Sequence, residues 1–78
     1  MVTVRLFGTL RLDAKRRCVE VDAQNVAEAL QRTASALGLP SADPLLRATV
    51  YVNGERAGVR TRLRDGDELH LLSPAAGG

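Results

Sequence analysis

Hydrophobic and polar positions alternate at both ends of the chain and switch to a helical period between them. Across residues 2–8, Val2, Val4 and Leu6 fall on one side and Thr3, Arg5 and Phe7 on the other, the pattern of a half-buried strand. Residues 17–22 alternate again, with Val19 and Val21 opposite Cys18, Glu20 and Asp22, and residues 9–16 read as the hairpin connection between the two strands. From 26 to 37 the spacing changes: Val26, Leu30, Ala34 and Leu37 form one apolar stripe, with Glu28, Gln31, Arg32 and Ser35 away from it. Asn25 stands at the N-cap position with Glu28 three residues on, as in a capping box. Gly38 is placed to end the helix in a left-handed turn and Pro40 discourages its continuation.

Beyond the helix, Asp43-Pro44 opens a short helical turn and residues 48–52 a strand with Ala48, Val50 and Val52 on one face. Asn53-Gly54 is a two-residue hairpin signal, since both residues tolerate positive φ. The return strand is short and polar, with Leu63 as its apolar anchor. Asp65-Gly66-Asp67 makes a second turn into a last strand at 68–72, with Leu69 and Leu71 inward and His70 and Leu72 outward. Strands grouped around one helix predict an α+β domain with the helix on one face of a mixed sheet. The domain is expected to span residues 1–72. Residues 73–78, Ser-Pro-Ala-Ala-Gly-Gly, carry nothing to anchor to a core and are expected to form a flexible tail.

Composition narrows the function. With 78 residues there is room for one domain. The single cysteine, Cys18, allows no internal disulfide and suits a reducing compartment; with no signal-like leader and no long apolar run, a cytoplasmic location away from membranes is expected. Eleven basic against nine acidic residues leave a net charge of only +2, and Phe7 and Tyr51 are the only rings available for stacking, so nucleic acid is not the expected partner. Arg56, Arg60, Arg62 and Arg64 read as a solvated surface, with a phosphate site or a docking patch for an acidic protein as alternatives. One cysteine and one histidine fall short of a zinc or iron–sulfur ligand set. Cys18 is expected to be an ordinary strand residue, Lys15 a turn residue and His70 a surface or interface residue. The acids Asp65, Asp67 and Glu68 are expected to make a solvated hairpin rather than a cation site.

The stretch from Leu63 to Leu69, Leu-Arg-Asp-Gly-Asp-Glu-Leu, followed by the Pro74-Ala75-Ala76-Gly77-Gly78 ending, resembles the end of MoaD/ThiS sulfur carriers. The Val52-Asn53-Gly54 hairpin and the opening Val4-Arg5-Leu6-Phe7-Gly8 also look like that family, so the resemblance covers nearly the whole length. A lone Gly-Gly is weak; Gly-Gly closing a chain of this size, after a strand begun by Asp-Gly-Asp-Glu, is much stronger. Pro74 tilts the match towards MoaD, the small subunit of molybdopterin synthase. The resemblance implies a ubiquitin-like β-grasp: a mixed sheet of four to five strands, the first and last adjacent and parallel at its centre, under one main helix.

It further implies a carrier without an active site or bound cofactor. Gly78 is adenylated by a ubiquitin-activating-type adenylyltransferase, which uses ATP, and becomes a thiocarboxylate. The sulfur then passes to an accepting enzyme such as the molybdopterin synthase large subunit. A free α-carboxylate, with a pKa of about 3.5, is a stable anion and a poor electrophile, so activation by a partner is required. Gly77, Ala76 and Ala75 are slim enough to thread a narrow tunnel, and six extended residues reach about 20 Å. Phe7 and Leu72, with His70 and Pro74 close by, form a candidate docking patch, unless Phe7 instead folds over an edge of the core. Carriers with this ending also serve thiamine, cysteine, tRNA-thiolation and secondary-metabolite pathways. A modifier forming isopeptide bonds, or a binding module with an incidental tail, are the other readings.

Overall fold

The structure is a computed structural model that describes residues 1–7 and 18–72. Among the described residues, seven elements follow one another: β1 (Val2–Phe7), β2 (Cys18–Val21), α1 (Val26–Ala36), α2 (Asp43–Leu46), β3 (Thr49–Val52), β4 (Glu55–Ala57) and β5 (Glu68–Leu72). The strands form one five-stranded sheet in the order β2-β1-β5-β3-β4. β1 and β5 run parallel in the interior of the sheet, pairing Thr3 with Glu68 through to Phe7 with Leu72. The other three pairings are antiparallel. This is the ubiquitin-like β-grasp expected from the sequence, with five strands and one main helix.

Period-two alternation decides which face is covered. Val2, Val4 and Leu6 of β1, Val19 and Val21 of β2, Val50 of β3, and Leu69 and Leu71 of β5 all point inward and are buried. The helix answers with Val26, Ala29, Leu30, Thr33 and Ala34, and Leu45 of α2 and Leu63 close the edges. Thr33 is the exception in this apolar set: its Oγ1 is buried and has no hydrogen-bond partner among the described residues.

Both ends of α1 are satisfied locally. Asn25 sits in an extended conformation, and its side chain accepts a hydrogen bond from the Glu28 N–H at 2.8 Å. Glu28 reaches back to the N–H of Gln24 at 2.9 Å, one residue before the cap. The N–H groups of Val26 and Ala27 donate to the carbonyls of Thr61 and Val59, so the loop after β4 completes the helix start. At the other end Gly38 takes φ 74°. Its N–H donates to the Ser35 carbonyl and that of Leu39 to the Ala34 carbonyl, which together make a Schellman motif.

Several boundaries shift from expectation. The helix ends at Ala36, with Leu37 as its C-cap, and β3 begins at Thr49 rather than Ala48. Leu63 is buried but does not anchor the return strand: β4 stops at Ala57, and Leu63 belongs to a separate extended stretch that donates its N–H to the Gln24 carbonyl. The alternation cannot see this because three residues, two of them charged, suffice for β4 when β3 alone holds it as an edge. Gly8, Arg17, the connection at 9–16 with Lys15, and residues 73–78 lie outside the described residues. Among the described residues, no helix is long and apolar enough to cross a membrane.

Candidate functional site

The outward face of the β1–β5 pair carries the candidate site. The inward positions of both strands are fixed by the core, so the intervening residues, Arg5 and Phe7 on β1 and Glu68, His70 and Leu72 on β5, must face away from the helix. The parallel register sets Phe7 beside Leu72 at one end of the pair. Phe7 is 41% exposed and Leu72 40%, so neither is a core residue. Their contrast with Leu69 and Leu71, which are fully covered on the same strand, makes an apolar patch where the chain leaves the sheet.

His70 is the hinge between this patch and a charged cluster. Its ring meets that of Phe7 edge-on, with centroids 5.3 Å apart and an interplanar angle of 62°. Its Nε2 lies 2.6 Å from Glu68 Oε1, while Glu68 Oε2 receives Arg5 Nε at 3.2 Å. Glu68 therefore holds one partner on each oxygen. The hydrogen bond from His70, then that from Arg5, lowers its pKa from the ordinary 4.5. Tyr51 of β3 pairs with His70 on the far side. The sequence reading placed Glu68 in the turn cluster and overlooked Arg5. Their proximity follows only from the parallel β1–β5 register, which pairs Arg5 with His70, two positions along from the Thr3–Glu68 pair.

The acids of the preceding turn are each occupied. Asp67 accepts from the Arg64 N–H at 2.8 Å and from Asn53 Nδ2 at 3.0 Å, and these bonds, in that order, lower its pKa from 3.8. Asn53 holds φ 51° in the β3–β4 hairpin, and its Oδ1 accepts from the Glu68 N–H. Asp65 pairs with the amino group of Met1. Among the described residues no cluster of His, Cys, Asp or Glu is arranged to hold a metal ion. Cys18 is a free, exposed thiol on β2, opposite Arg5. Pro74, expected beside the docking patch, Ala75, Ala76 and Gly77, expected to thread a partner, and Gly78, expected to carry the chemistry, lie outside the described residues.

Comparison with known proteins places this fold and its ending together. The family model described as the ThiS family matches residues 4–78 and so includes the Gly77-Gly78 ending. A search of curated proteins found no significant match. Among solved structures, the chain resembles SAMP1 from Haloferax volcanii at 29% identity and TM-score 0.79, covering 99% of this chain and 98% of that one. A chain of the BexX/CysO complex of Amycolatopsis orientalis is 30% identical with TM-score 0.74, and each chain is covered completely. A chain of the complex between subunits 1 and 2 of the molybdopterin-converting factor from Helicobacter pylori is 28% identical with TM-score 0.63, covering 99% of this chain and 97% of that one. A match running through all but the first three residues settles the matter: the chain belongs to the ThiS family of small ubiquitin-like proteins, with the MoaD/ThiS-type carriers and modifiers.

Proposed function

We propose that this protein is a sulfur carrier whose Gly78 carboxylate is the working group. A ubiquitin-activating-type enzyme would bind the Phe7/His70/Leu72 face and draw residues 73–78 into its active site. There a carboxylate oxygen of Gly78 attacks the α-phosphorus of ATP and pyrophosphate leaves. Hydrosulfide then attacks the carbonyl carbon of the acyl-adenylate and displaces AMP, which leaves a thiocarboxylate. No side chain of the carrier has to supply acid, base or nucleophile, because the enzymatic steps belong to its partners. The observation that carries this reading is the family match extending through Gly77-Gly78, in a chain whose outward face presents exposed Phe7 and Leu72 at the base of that segment.

Sulfur delivery to molybdopterin is the destination we favour, through a large-subunit acceptor in the cytoplasm. Pro74 and the likeness to the molybdopterin-converting factor complex support it. The likeness to the BexX/CysO complex supports a related sulfur-transfer pathway as the alternative. A modifier role draws support from the likeness to SAMP1 of Haloferax volcanii, a small archaeal modifier protein. Intact mass after incubation with ATP, sulfide and a candidate activating enzyme tests the chemistry: exchange of one oxygen for sulfur at the α-carboxyl adds about 16 Da. A variant lacking Gly77 and Gly78 must show no gain. Sulfur delivery that persists in that variant overturns the proposal, and a ladder of heavier conjugates in cell extract would favour the modifier role.

A further inference from the structure

The loop that completes the start of α1 also carries three exposed arginines within five residues. Between Val59 and Leu63 three backbone hydrogen bonds join the chain to the start of the helix: Ala27 N–H to the Val59 carbonyl, Val26 N–H to the Thr61 carbonyl, and Leu63 N–H to the Gln24 carbonyl. An isolated antiparallel bridge joins Arg62 to Asn25. Thr61 is half-buried and Leu63 buried, so the alternate residues Arg60, Arg62 and Arg64 are left exposed. None of the three makes an ion pair with a described residue. Of the acids in the nearby turn, Asp65 pairs with the amino group of Met1, while Asp67, held by the Arg64 N–H and Asn53, stays ionised and attracts the Arg64 charge without forming an ion pair with it. A cavity of about 530 Å³ opens between Arg62, Leu63, Arg64 and Gln24.

The register fixes where this lies. Val2 pairs with Val21 just before Gln24, and Thr3 pairs with Glu68 just after the turn that follows Arg64. Phe7 and Leu72 end the same strands at the other side. The arginine loop is therefore at the opposite pole from the point where residues 73–78 depart.

We propose that Arg60, Arg62 and Arg64, with the Gln24 cavity, bind a carboxylate-rich extended segment of a protein partner. Arg62 and Arg64, two residues apart in the extended stretch after the Gly58–Thr61 turn, lie about 6.6 Å apart along the chain, which matches acidic side chains at alternate positions of an extended peptide. Arg60, within that turn, adds a third exposed guanidinium to the same loop. The planar guanidinium also suits bidentate capture of carboxylates. Nucleic acid is the poorer fit, because the chain's only Phe and Tyr are on the outward sheet face and no ring is left at this pole for base stacking. Given the carrier reading above, the location lets one protein hold the carrier while another works on Gly78.

The test is an NMR titration of the full ¹⁵N-labelled chain with an alternating Asp-Ser octapeptide, and separately with oligodeoxythymidine of equal charge and with inorganic phosphate. The peptide should shift the amides of Gln24 and residues 60–64, and added salt should weaken its binding. Arg60→Gln/Arg62→Gln/Arg64→Gln should weaken it about tenfold, as expected for the loss of several exposed ion pairs. Phe7→Asp should leave it unchanged. A dispersed spectrum establishes that the triple variant is folded, and Arg62→Gln alone serves if it is not. Absence of shifts in this loop, or tighter binding of the oligonucleotide or of phosphate at the same residues, overturns the proposal. The mass assay on Gly78 is unaffected by either result, so failure here is separate from failure of the carrier reading.

Discussion

The two faces of the β1–β5 pair are built from alternate residues of the same two strands, yet they are under different physical demands. Inward, Val2, Val4, Leu6, Leu69 and Leu71 are all aliphatic and almost completely covered. Outward, the same strands carry Thr3, Arg5, Phe7, Glu68, His70 and Leu72, a mixture of charge, ring and exposed leucine. A domain of this size buries only about 60% of the surface its unfolded chain exposes, so the inward face has little stability to spare. The outward face has no such duty, and its composition can be set by recognition.

The largest effect that would test this division is a pair of truncations on one strand. Leu69→Ala removes a fully buried side chain from the interior of the sheet and should cost about 2–5 kcal/mol, enough to unfold much of the population. Leu72→Ala, three residues on, should change stability by less than about 0.5 kcal/mol. Urea unfolding followed by circular dichroism reads both. Phe7→Asp extends the contrast: the variant should unfold cooperatively near the wild-type midpoint but lose binding to the activating enzyme in calorimetry. Equal costs for Leu69 and Leu72, or collapse of the Phe7 variant, would make the outward face part of the core after all.

Among the described core residues, Thr33 is the one that breaks the inward rule. Its hydroxyl is fully buried without a described partner, and an unpaired buried hydroxyl costs about 1–3 kcal/mol. Thr33→Val keeps the branched shape and removes the orphan oxygen, so the midpoint in the same urea assay should rise, by about 1 kcal/mol in stability. A lower midpoint would show that the hydroxyl has a partner.

The inward face was legible from the chain because alternation and helical spacing are local. The strands near Val4, Val19, Val50 and Leu69, the helix from Val26 and the turns at Gly38, Asn53 and Gly66 could be read one segment at a time. Thr33 escaped because the helical stripe was drawn through aliphatic residues alone. Leu63 was identified as an anchor but put in the wrong element, because its partner is Gln24 at the helix start, a contact that no local spacing encodes. The Arg5–Glu68–His70 cluster was invisible for the same reason: it exists only once β1 and β5 lie parallel in register. Phe7 and Leu72 were paired in advance because the order of the strands suggested that neighbourhood.

The smallest predicted effect concerns that cluster and the pH. Glu68 titrates below its ordinary 4.5, first because His70 donates to it and then because Arg5 does. Asp67 likewise titrates below 3.8, through the Arg64 N–H and Asn53. A carboxyl whose pKa is lower in the folded than in the unfolded state favours folding while both states are ionised. That contribution is complete above the unfolded value and fades as the pH falls through the folded one. Stability should therefore be flat with respect to these two groups at neutral pH and decline as acid is added below about 4.5. Both carboxylates are solvated, so the decline should be shallow. Glu68→Gln, which keeps the shape and removes the charge, should flatten the part of the slope due to Glu68 while leaving that due to Asp67. Urea midpoints at a series of pH values from neutral to strongly acid measure this, and an unchanged slope in Glu68→Gln would show that the outward cluster contributes nothing to folding and is free to serve recognition alone.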